Sequence, residues 1–162
     1  MDSFKVNTSR LIMKVDDLTD PRVQALLQVH LANAKALTPP EFVQALDISG
    51  LKMPDVTFWT LWQDETLLGC GALKALDSLH GEVKSMHVYD AFRQQNLGGV
   101  ILRYIIKAAR DRGYKRLSLE TGHPPHYVPA ISLYKSFGFS QCPPFADYRD
   151  ETFSRYMTLS LS

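Results

Sequence analysis

The sequence contains little cysteine and no long apolar run. Cys70 and Cys142 are the only cysteines in 162 residues, and neither belongs to a CxxC pair or to a Cys/His cluster with metal-ligand spacing. We therefore expect reduced thiols and no bound metal. No stretch approaches the about 20 apolar residues of a membrane span, and the N-terminus lacks the apolar core of a signal peptide. These features predict a cytoplasmic protein without a membrane partner.

An excess of charge of one sign is also missing. Lysine and arginine together number 18, and aspartate and glutamate 17, which gives a net charge of +1. Nucleic-acid-binding proteins present clustered positive charge to phosphates, so this balance predicts no nucleic-acid partner. The length of 162 residues suits one compact domain, and no repeat, low-complexity tract or linker divides it. We expect a single domain over residues 1–162.

Hydrophobic periodicity predicts strands and helices in mixed order. Strand-like runs lie at residues 10–15, 55–63, 66–76, 81–89, 115–121 and 155–161. Helical patterns lie at residues 16–37, 97–112 and 127–137, and a further short helix is expected to begin within residues 38–46. Thr19 or Asp20 suits the cap of the first helix, with Pro21 in its first turn. This order predicts a single α/β (α+β) domain with a mixed sheet.

The segment between residues 88 and 99 predicts a strand, a glycine-bearing loop and a helix start. The first N–H groups of a helix have no intrahelical partner and lie at the positive end of its dipole, so they suit a phosphate. Gly98 and Gly99 lack a Cβ and would let an anion approach the main chain. Asn96 tolerates positive φ, and Arg93 adds charge. An ordinary strand-to-helix turn with solvated polar residues is the alternative.

Two other kinds of phosphate loop fit this segment poorly. A Walker loop needs Lys followed by Ser or Thr after its last glycine, whereas Val100 and Ile101 follow here. A dinucleotide-binding loop should follow the first strand of a βαβ unit, whereas this loop comes after several strands. A nucleotide-binding module therefore remains only as a minor alternative.

Three segments in the second half of the chain resemble the GNAT superfamily of acetyl-CoA-dependent N-acetyltransferases. The family carries an Arg/Gln-x-x-Gly-x-Gly/Ala loop five residues past a strand valine, and here Val88 precedes Arg93-Gln94-Gln95-Asn96-Leu97-Gly98. Residues 108–121 (AARDRGYKRLSLET) look like the family's helix end and fifth strand. Residues 130–139 (AISLYKSFGF) look like a signature near the end of the family's domain, an Ala-x-x-Leu-Tyr helix that ends in Gly-Phe. Asn96 replaces the middle glycine of the loop, and Gln94 replaces a frequent second glycine.

The resemblance implies a fold and a cosubstrate. It implies a mixed, mostly antiparallel sheet, flanked by about four helices, whose central strands splay apart to admit the pantetheine arm of acetyl-CoA. The backbone of Met86, His87 and Val88 would then pair with that arm. The pyrophosphate would lie on N–H groups of the loop and helix start, formed by Arg93, Gln94, Gln95, Asn96, Leu97, Gly98 and Gly99.

The resemblance also implies two catalytic residues. Tyr134 stands at the family tyrosine that commonly points at the CoA sulfur and protonates the leaving thiolate; a packed helix tyrosine is the alternative. Glu82 lies six residues before Val88, where some lysine-acetylating members carry their catalytic base. Strand alternation predicts that Glu82, Lys84, Met86 and Val88 share one face. A surface pair of Glu82 with Lys84 is the alternative for Glu82.

The acceptor is less defined than the cosubstrate. Loops at residues 120–130 and 144–156 stand where the family places acceptor-facing segments, and they hold Glu120, His123, His126, Tyr127, Tyr148, Arg149 and Asp150. Arg149 could clamp a carboxylate there, while His123, His126 and Asp150 are read mainly as solvated loop residues. We expect direct transfer of acetyl to a primary amine of a small molecule or amino acid. Acetylation of a protein N-terminus or lysine, and a CoA-binding sensor or scaffold, are the alternatives, and a homodimer is compatible with the sequence.

Overall fold

A seven-stranded mixed sheet forms the centre of the molecule. The computed structural model describes residues 5–38, 46–122, 127–149 and 154–161. The strands follow the order β1-β2-β3-β4-β5-β7-β6 across the sheet, and among the described strands only β4 and β5 are parallel neighbours. Their bounds are β1 Leu11–Val15, β2 Val56–Gln63, β3 Thr66–Ala75, β4 His80–Val88, β5 Arg116–Gly122, β6 Ser140–Gln141 and β7 Ser154–Ser160. The predicted mixed, mostly antiparallel sheet is confirmed; the two-residue strand β6 was not predicted.

Four α-helices accompany the sheet within the described residues. They are α1 Pro21–Leu37, α2 Ile48–Leu51, α3 Leu97–Asp111 and α4 Val128–Ser136, with short 3₁₀ turns at Thr8–Arg10 and Asp90–Phe92. Asp20 caps α1 by accepting a hydrogen bond from the N–H of Arg22 at 2.8 Å, and Pro21 occupies the first turn. The short helix expected within residues 38–46 falls mostly on residues 39–45, which lie outside the described residues.

The two faces of the sheet carry two apolar cores. On one face α3 and α4 pack over the strands, and Ile101 and Ile105 lie close to Gly71 of β3. A Cβ at position 71 would stand 2.8 Å from Ile101, so the missing side chain lets α3 approach the sheet. On the other face α1 packs with α2 around Leu26 and Trp62. The sheet is therefore covered on both sides.

The central strands part halfway along their length. The parallel pairing of β4 with β5 runs from His80↔Arg116 to Val83↔Leu119 and then stops. Beyond that point β4 keeps β3 as its neighbour, and β5 keeps β7. The remaining length of β4, residues 84–88, therefore has no strand on its β5 side in the part of the chain that the structure describes. The predicted splay of the central strands is confirmed.

A bulge in β4 changes the face to which its later side chains point. Between the pairs Ala72↔Lys84 and Cys70↔His87 the register shifts, and Ser85 has a φ of 54°. Val83 and, beyond the bulge, Met86 and Val88 all pack against the α3 core. Glu82 and Lys84 flank Val83 and lie on the opposite face. The predicted common face for Glu82, Lys84, Met86 and Val88 is therefore wrong, because the bulge inserts one residue.

Candidate active site

A cavity of about 160 Å³ lies where β4 and β5 part. We call it the β4–β5 cavity. Its walls come from the last turns of α1, from the bulged part of β4, from the end of β5 and from the start of α4. The lining residues are His30, Ala34, Thr38, Glu82, Val83, Lys84, Ser85, Met86, Glu120, Thr121, Gly122, Tyr127, Ala130 and Tyr134. Both predicted catalytic residues, Glu82 and Tyr134, thus reach the same space.

Glu82 forms a buried cluster with Lys84 and Tyr148. Its side chain is 3% exposed and that of Lys84 is 8% exposed, with 3.1 Å between Lys84 Nζ and Glu82 Oε2. The Tyr148 hydroxyl donates to Glu82 Oε2 at 2.5 Å, and Lys84 Nζ donates to that hydroxyl at 2.7 Å. Burial raises the pKa of Tyr148, and the Glu82 carboxylate raises it further, so the phenol stays protonated. The Glu82–Lys84 pair foreseen as an alternative exists, but inside the molecule.

Glu120 is a second carboxylate in the β4–β5 cavity. It occupies the end of β5, just beyond the last pair with β4, and Ser154 Oγ donates to its Oε2 at 2.8 Å. Burial raises the pKa of Glu120, and the hydrogen bond from Ser154 opposes this only in part. A carboxylate with a raised pKa is better matched to proton uptake near neutral pH than an ordinary one.

Tyr134 lies on α4 with 8% of its surface exposed, and its ring makes an edge contact with Phe139. Burial raises the pKa of Tyr134 to about 12, with a smaller contribution from Glu120. The phenol is therefore a protonated hydrogen-bond donor at neutral pH. The same residue also packs into the core, as the alternative interpretation expected, and it lines the β4–β5 cavity; its contact with the CoA sulfur stays a prediction.

His87 turns its side chain and its main chain away from the gap between β4 and β5. Its Nδ1 lies 3.2 Å from Nδ1 of His30 on α1, and its N–H is directed at the Cys70 thiol on β3. The N–H of Tyr89 donates to Leu68 O at 3.1 Å, so strand alternation turns the N–H of Val88 towards the gap. Of the backbone groups predicted to meet the pantetheine arm, that of Val88 is well oriented for this contact, and that of His87 is directed to β3.

The loop before α3 takes left-handed conformations at two positions. Gln94 has a φ of 65° and Asn96 a φ of 62°, and these are the two places where this sequence departs from the glycines of the family pattern. Asn96 precedes α3, and its side chain makes no capping hydrogen bond to the helix. The N–H groups of the first helical turn therefore have no partner on the Asn96 side chain. The loop therefore keeps the positive-φ conformation that glycine favours, although glutamine and asparagine occupy these two positions.

The side chains of the loop make different contacts. Arg93 is exposed and pairs with Asp90, with 2.9 Å between Nε and Oδ1, and its N–H donates to Asp90 O at 3.3 Å. Gln95 Oε1 accepts from the N–H of Val6 at 2.8 Å, which ties the loop to the N-terminal segment. Leu97 is 2% exposed and anchors α3 in the core.

The two glycines leave different amounts of space. A Cβ at Gly98 would stand 3.0 Å from the end of Leu133, whereas one at Gly99 would stand 2.5 Å from Asn96 Oδ1. The Asn96 side chain thus lies over Gly99, which is buried, whereas Gly98 is half-buried and leaves the main chain uncovered by a side chain of its own.

Several residues of the site were not singled out for these contacts in the sequence. His30 reads as one more member of the α1 repeat, and Tyr148 as part of a polar loop, because their partners lie far away along the chain. Arg149 is exposed, and its carbonyl accepts from the Tyr156 hydroxyl at 2.6 Å; it does not line the β4–β5 cavity. His123, His126 and Asp150 lie outside the described residues.

The described ranges contain neither a metal-binding group nor a helix that could span a membrane. Within them, no group of three or more His, Cys, Asp or Glu side chains is placed to hold a metal ion. No helix of the described part is both long enough and apolar enough to cross a bilayer.

Comparison with known proteins identifies the class. The model of the acetyltransferase (GNAT) family matches residues 23–139, and this chain belongs to that family. It is an acetyl-CoA-dependent N-acetyltransferase with a single α/β domain. The uncharacterized N-acetyltransferase YedL of Escherichia coli (strain K12) is 46% identical over 149 residues, which cover 92% of this chain and 94% of the relative.

Two further similarities agree with this assignment. The uncharacterized N-acetyltransferase YsnE of Bacillus subtilis (strain 168) is 45% identical over 149 residues, which cover 92% of this chain and 99% of YsnE. A crystal structure of an acyl-CoA N-acyltransferase candidate from Klebsiella pneumoniae superposes with a TM-score of 0.76 at 27% identity, covering 94% of this chain and 98% of that one. The sequence-based prediction of the family is confirmed.

Proposed function

We propose that this enzyme transfers an acetyl group directly from acetyl-CoA to the primary amine of a small molecule or an amino acid. The observation that supports this acceptor class most is the β4–β5 cavity, which is small at about 160 Å³ and carries the buried charges of Glu82 and Lys84 in its wall. Ligand pockets for larger molecules commonly reach about 300 Å³ or more. A small acceptor with a charged group fits such a space.

In the reaction, the neutral amine attacks the thioester carbonyl carbon, and the carbon–sulfur bond breaks. The amine loses one proton to a carboxylate of the cavity, and CoA leaves as a thiolate that takes up a proton. Glu82 was the base suggested by the sequence. Glu120 is the second candidate, and its raised pKa favours it. Within the described residues Glu120 accepts one hydrogen bond, from Ser154, whereas Glu82 already accepts two.

Tyr134 donates a hydrogen bond to the departing sulfur in this proposal. The thiol of an unperturbed cysteine has a pKa of about 8.5, whereas the pKa of Tyr134 is raised to about 12. Complete proton transfer from the phenol to the thiolate is therefore uphill. Stabilisation of the developing charge by a fixed donor is the role that this pKa favours.

The loop before α3 binds the pyrophosphate of acetyl-CoA in this proposal. The N–H groups of Leu97, Gly98 and Gly99 at the start of α3 supply donors, and exposed Arg93 supplies charge. Met86 and Val88 line the adjoining stretch of β4, where the N–H of Val88 suits the pantetheine arm. Cytoplasmic location and a homodimer remain part of the proposal.

Acetyl-CoA binding and turnover, measured for the wild-type protein and for the Tyr134→Phe variant, test this function. Acetyl-CoA at about a hundred times its dissociation constant should stabilise the protein by about 2.7 kcal/mol, and CoA should do the same, while ATP and NAD should not. Tyr134→Phe should keep this stabilisation and lose about tenfold or more in kcat. Normal binding without turnover on any amine would instead support a sensor or scaffold, and turnover only on peptides would support a protein acetyltransferase.

A further inference from the structure

The contact between His30 and His87 fixes which ring nitrogen of His30 carries a proton. The two Nδ1 atoms are 3.2 Å apart, so one must donate and the other accept. Nε2 of His87 is buried and has no hydrogen-bond partner within the described residues. A buried N–H without a partner is costly, so we assign the proton of His87 to Nδ1, which donates to His30. His30 then carries its own proton on Nε2.

Burial keeps the imidazole of His30 uncharged. It lowers the pKa of His30 to about 4, and the neighbouring His87 adds to the effect. The pKa of His87 is lowered as well, first by burial and then by Arg93. At neutral pH His30 therefore presents a neutral Nε2–H whose orientation is set from the opposite ring nitrogen, and His30 lines the β4–β5 cavity.

Lys84 supplies a second donor to the same cavity. Its ammonium has three N–H groups; one is directed at Glu82 and one at the Tyr148 hydroxyl. Lys84 and His87 lie on the same face of β4, opposite the α3 core, and His30 contacts that face through His87. Glu120 lines another wall of the cavity, at the end of β5, and is the acidic group with a raised pKa.

We propose that the acceptor carries a carboxylate beside its amine, and that His30 Nε2 and the third N–H of Lys84 bind that carboxylate while the amine faces Glu120. This proposal rests on the proposed function, which it narrows from small amines in general to molecules of the α-amino acid type. Two donors on residues that line one cavity, one of them cationic, match the two oxygens of a carboxylate. His87 acts as a positioning residue that holds the His30 tautomer.

The test compares each of the free amino acids with the amine that lacks only its carboxylate, by release of CoA thiol. For the preferred amino acid we expect kcat/KM to exceed that of the matching amine by about 10- to 100-fold, mostly through KM, which is the range for hydrogen bonds to a charged group. His30→Phe should lower this ratio by about tenfold, because Lys84 remains as the second donor, and His30→Gln, which keeps an N–H donor, should lower it less.

Arg149→Ala tests the other carboxylate clamp suggested by the sequence; Arg149 is exposed and is not among the residues that line the cavity. It should leave the ratio in place; loss of the ratio in this variant, with retention in His30→Phe, would overturn the proposal. Turnover on the amines as efficient as on the amino acids would overturn the proposal and leave the proposed function intact. Turnover with neither set would overturn both.

A spectroscopic measurement addresses the tautomer without any substitution. Imidazole ¹⁵N chemical shifts of the wild-type protein at neutral pH distinguish a protonated Nε2 from a protonated Nδ1. We expect His30 to be protonated at Nε2 and His87 at Nδ1. A charged His30, or one protonated at Nδ1, would contradict the donor role even if the His30 variants fail to fold.

Discussion

The loop before α3 and the β4–β5 cavity are built in different ways. The loop is one continuous stretch, residues 93–99, and its proposed chemistry comes from main-chain N–H groups held by the left-handed residues Gln94 and Asn96. The cavity takes its chemistry from side chains on α1, β4, β5 and α4, which meet only in the folded chain. A local backbone motif can be recognised in a sequence, whereas a set of side chains from four elements depends on register and packing.

The first prediction concerns the cavity and has the largest expected effect. Lys84→Met leaves the Glu82 carboxylate buried without its cation, and removal of one partner of a buried pair typically costs about 3 to 5 kcal/mol. We expect a loss of stability near the lower end, since the Tyr148 hydrogen bond to Glu82 remains. Urea unfolding with an unchanged m-value would measure it.

Two matched variants sharpen that result. Lys107→Met breaks an exposed pair with Asp111 on α3 and should leave the urea midpoint essentially where it is. The double change Glu82→Leu with Lys84→Met should recover much of the loss, because no charge is then left unpaired. If Lys84→Met were as mild as Lys107→Met, the pair would be solvated, and the cavity would not depend on buried charge.

The second prediction separates the two carboxylates of the cavity. If Glu120 is the base, Glu120→Gln should lower kcat/KM by about 100-fold, within the range that general bases contribute. The pKa of Glu120 is raised, so the wild-type rate should fall as the pH drops through this raised value, since the carboxylate must be unprotonated to accept a proton. Glu120→Gln should remove this acidic limb.

Glu82→Gln is the comparison for the same assay. The cluster with Lys84 and Tyr148 suggests that its main effect will be on stability, with the acidic limb of the pH profile retained. A profile that loses the limb in Glu82→Gln but keeps it in Glu120→Gln would restore the base inferred from the sequence. It would also show that the position of Glu82, six residues before Val88, identifies the base better than the burial and hydrogen bonds of the cavity do.

The same contrast explains what the sequence could predict. The family, the cap at Thr19 or Asp20 and the positive φ of Asn96 depend on local patterns in the sequence, and the parted central strands followed from the resemblance to the family. The faces of Met86 and Val88 could not be predicted, because serine gives little warning of a bulge with a φ of 54° at Ser85. The donor role of His30 depends on His87, 57 residues away, and no local pattern signals that contact.

The third prediction concerns the loop and has the smallest expected effect. Gln94 holds a φ of 65°, where a side chain with a Cβ costs about 1 to 2 kcal/mol relative to the usual backbone regions. Gln94→Gly removes that strain but increases the entropy of the unfolded chain, so we expect a net gain of about 0.5 to 1 kcal/mol in the free energy of unfolding. Thermal and urea unfolding would measure it.

Gln94→Ala is the control that isolates the backbone, since alanine shortens the side chain and keeps the Cβ. It should give no gain, and Asn96→Gly should give less than Gln94→Gly because asparagine tolerates the left-handed region. Equal effects of Gln94→Ala and Gln94→Gly would mean that the side chain of Gln94, and not its φ, determines the stability of the loop. The loop would then resemble the cavity in its construction, and the distinction between a backbone site and a side-chain site would no longer hold.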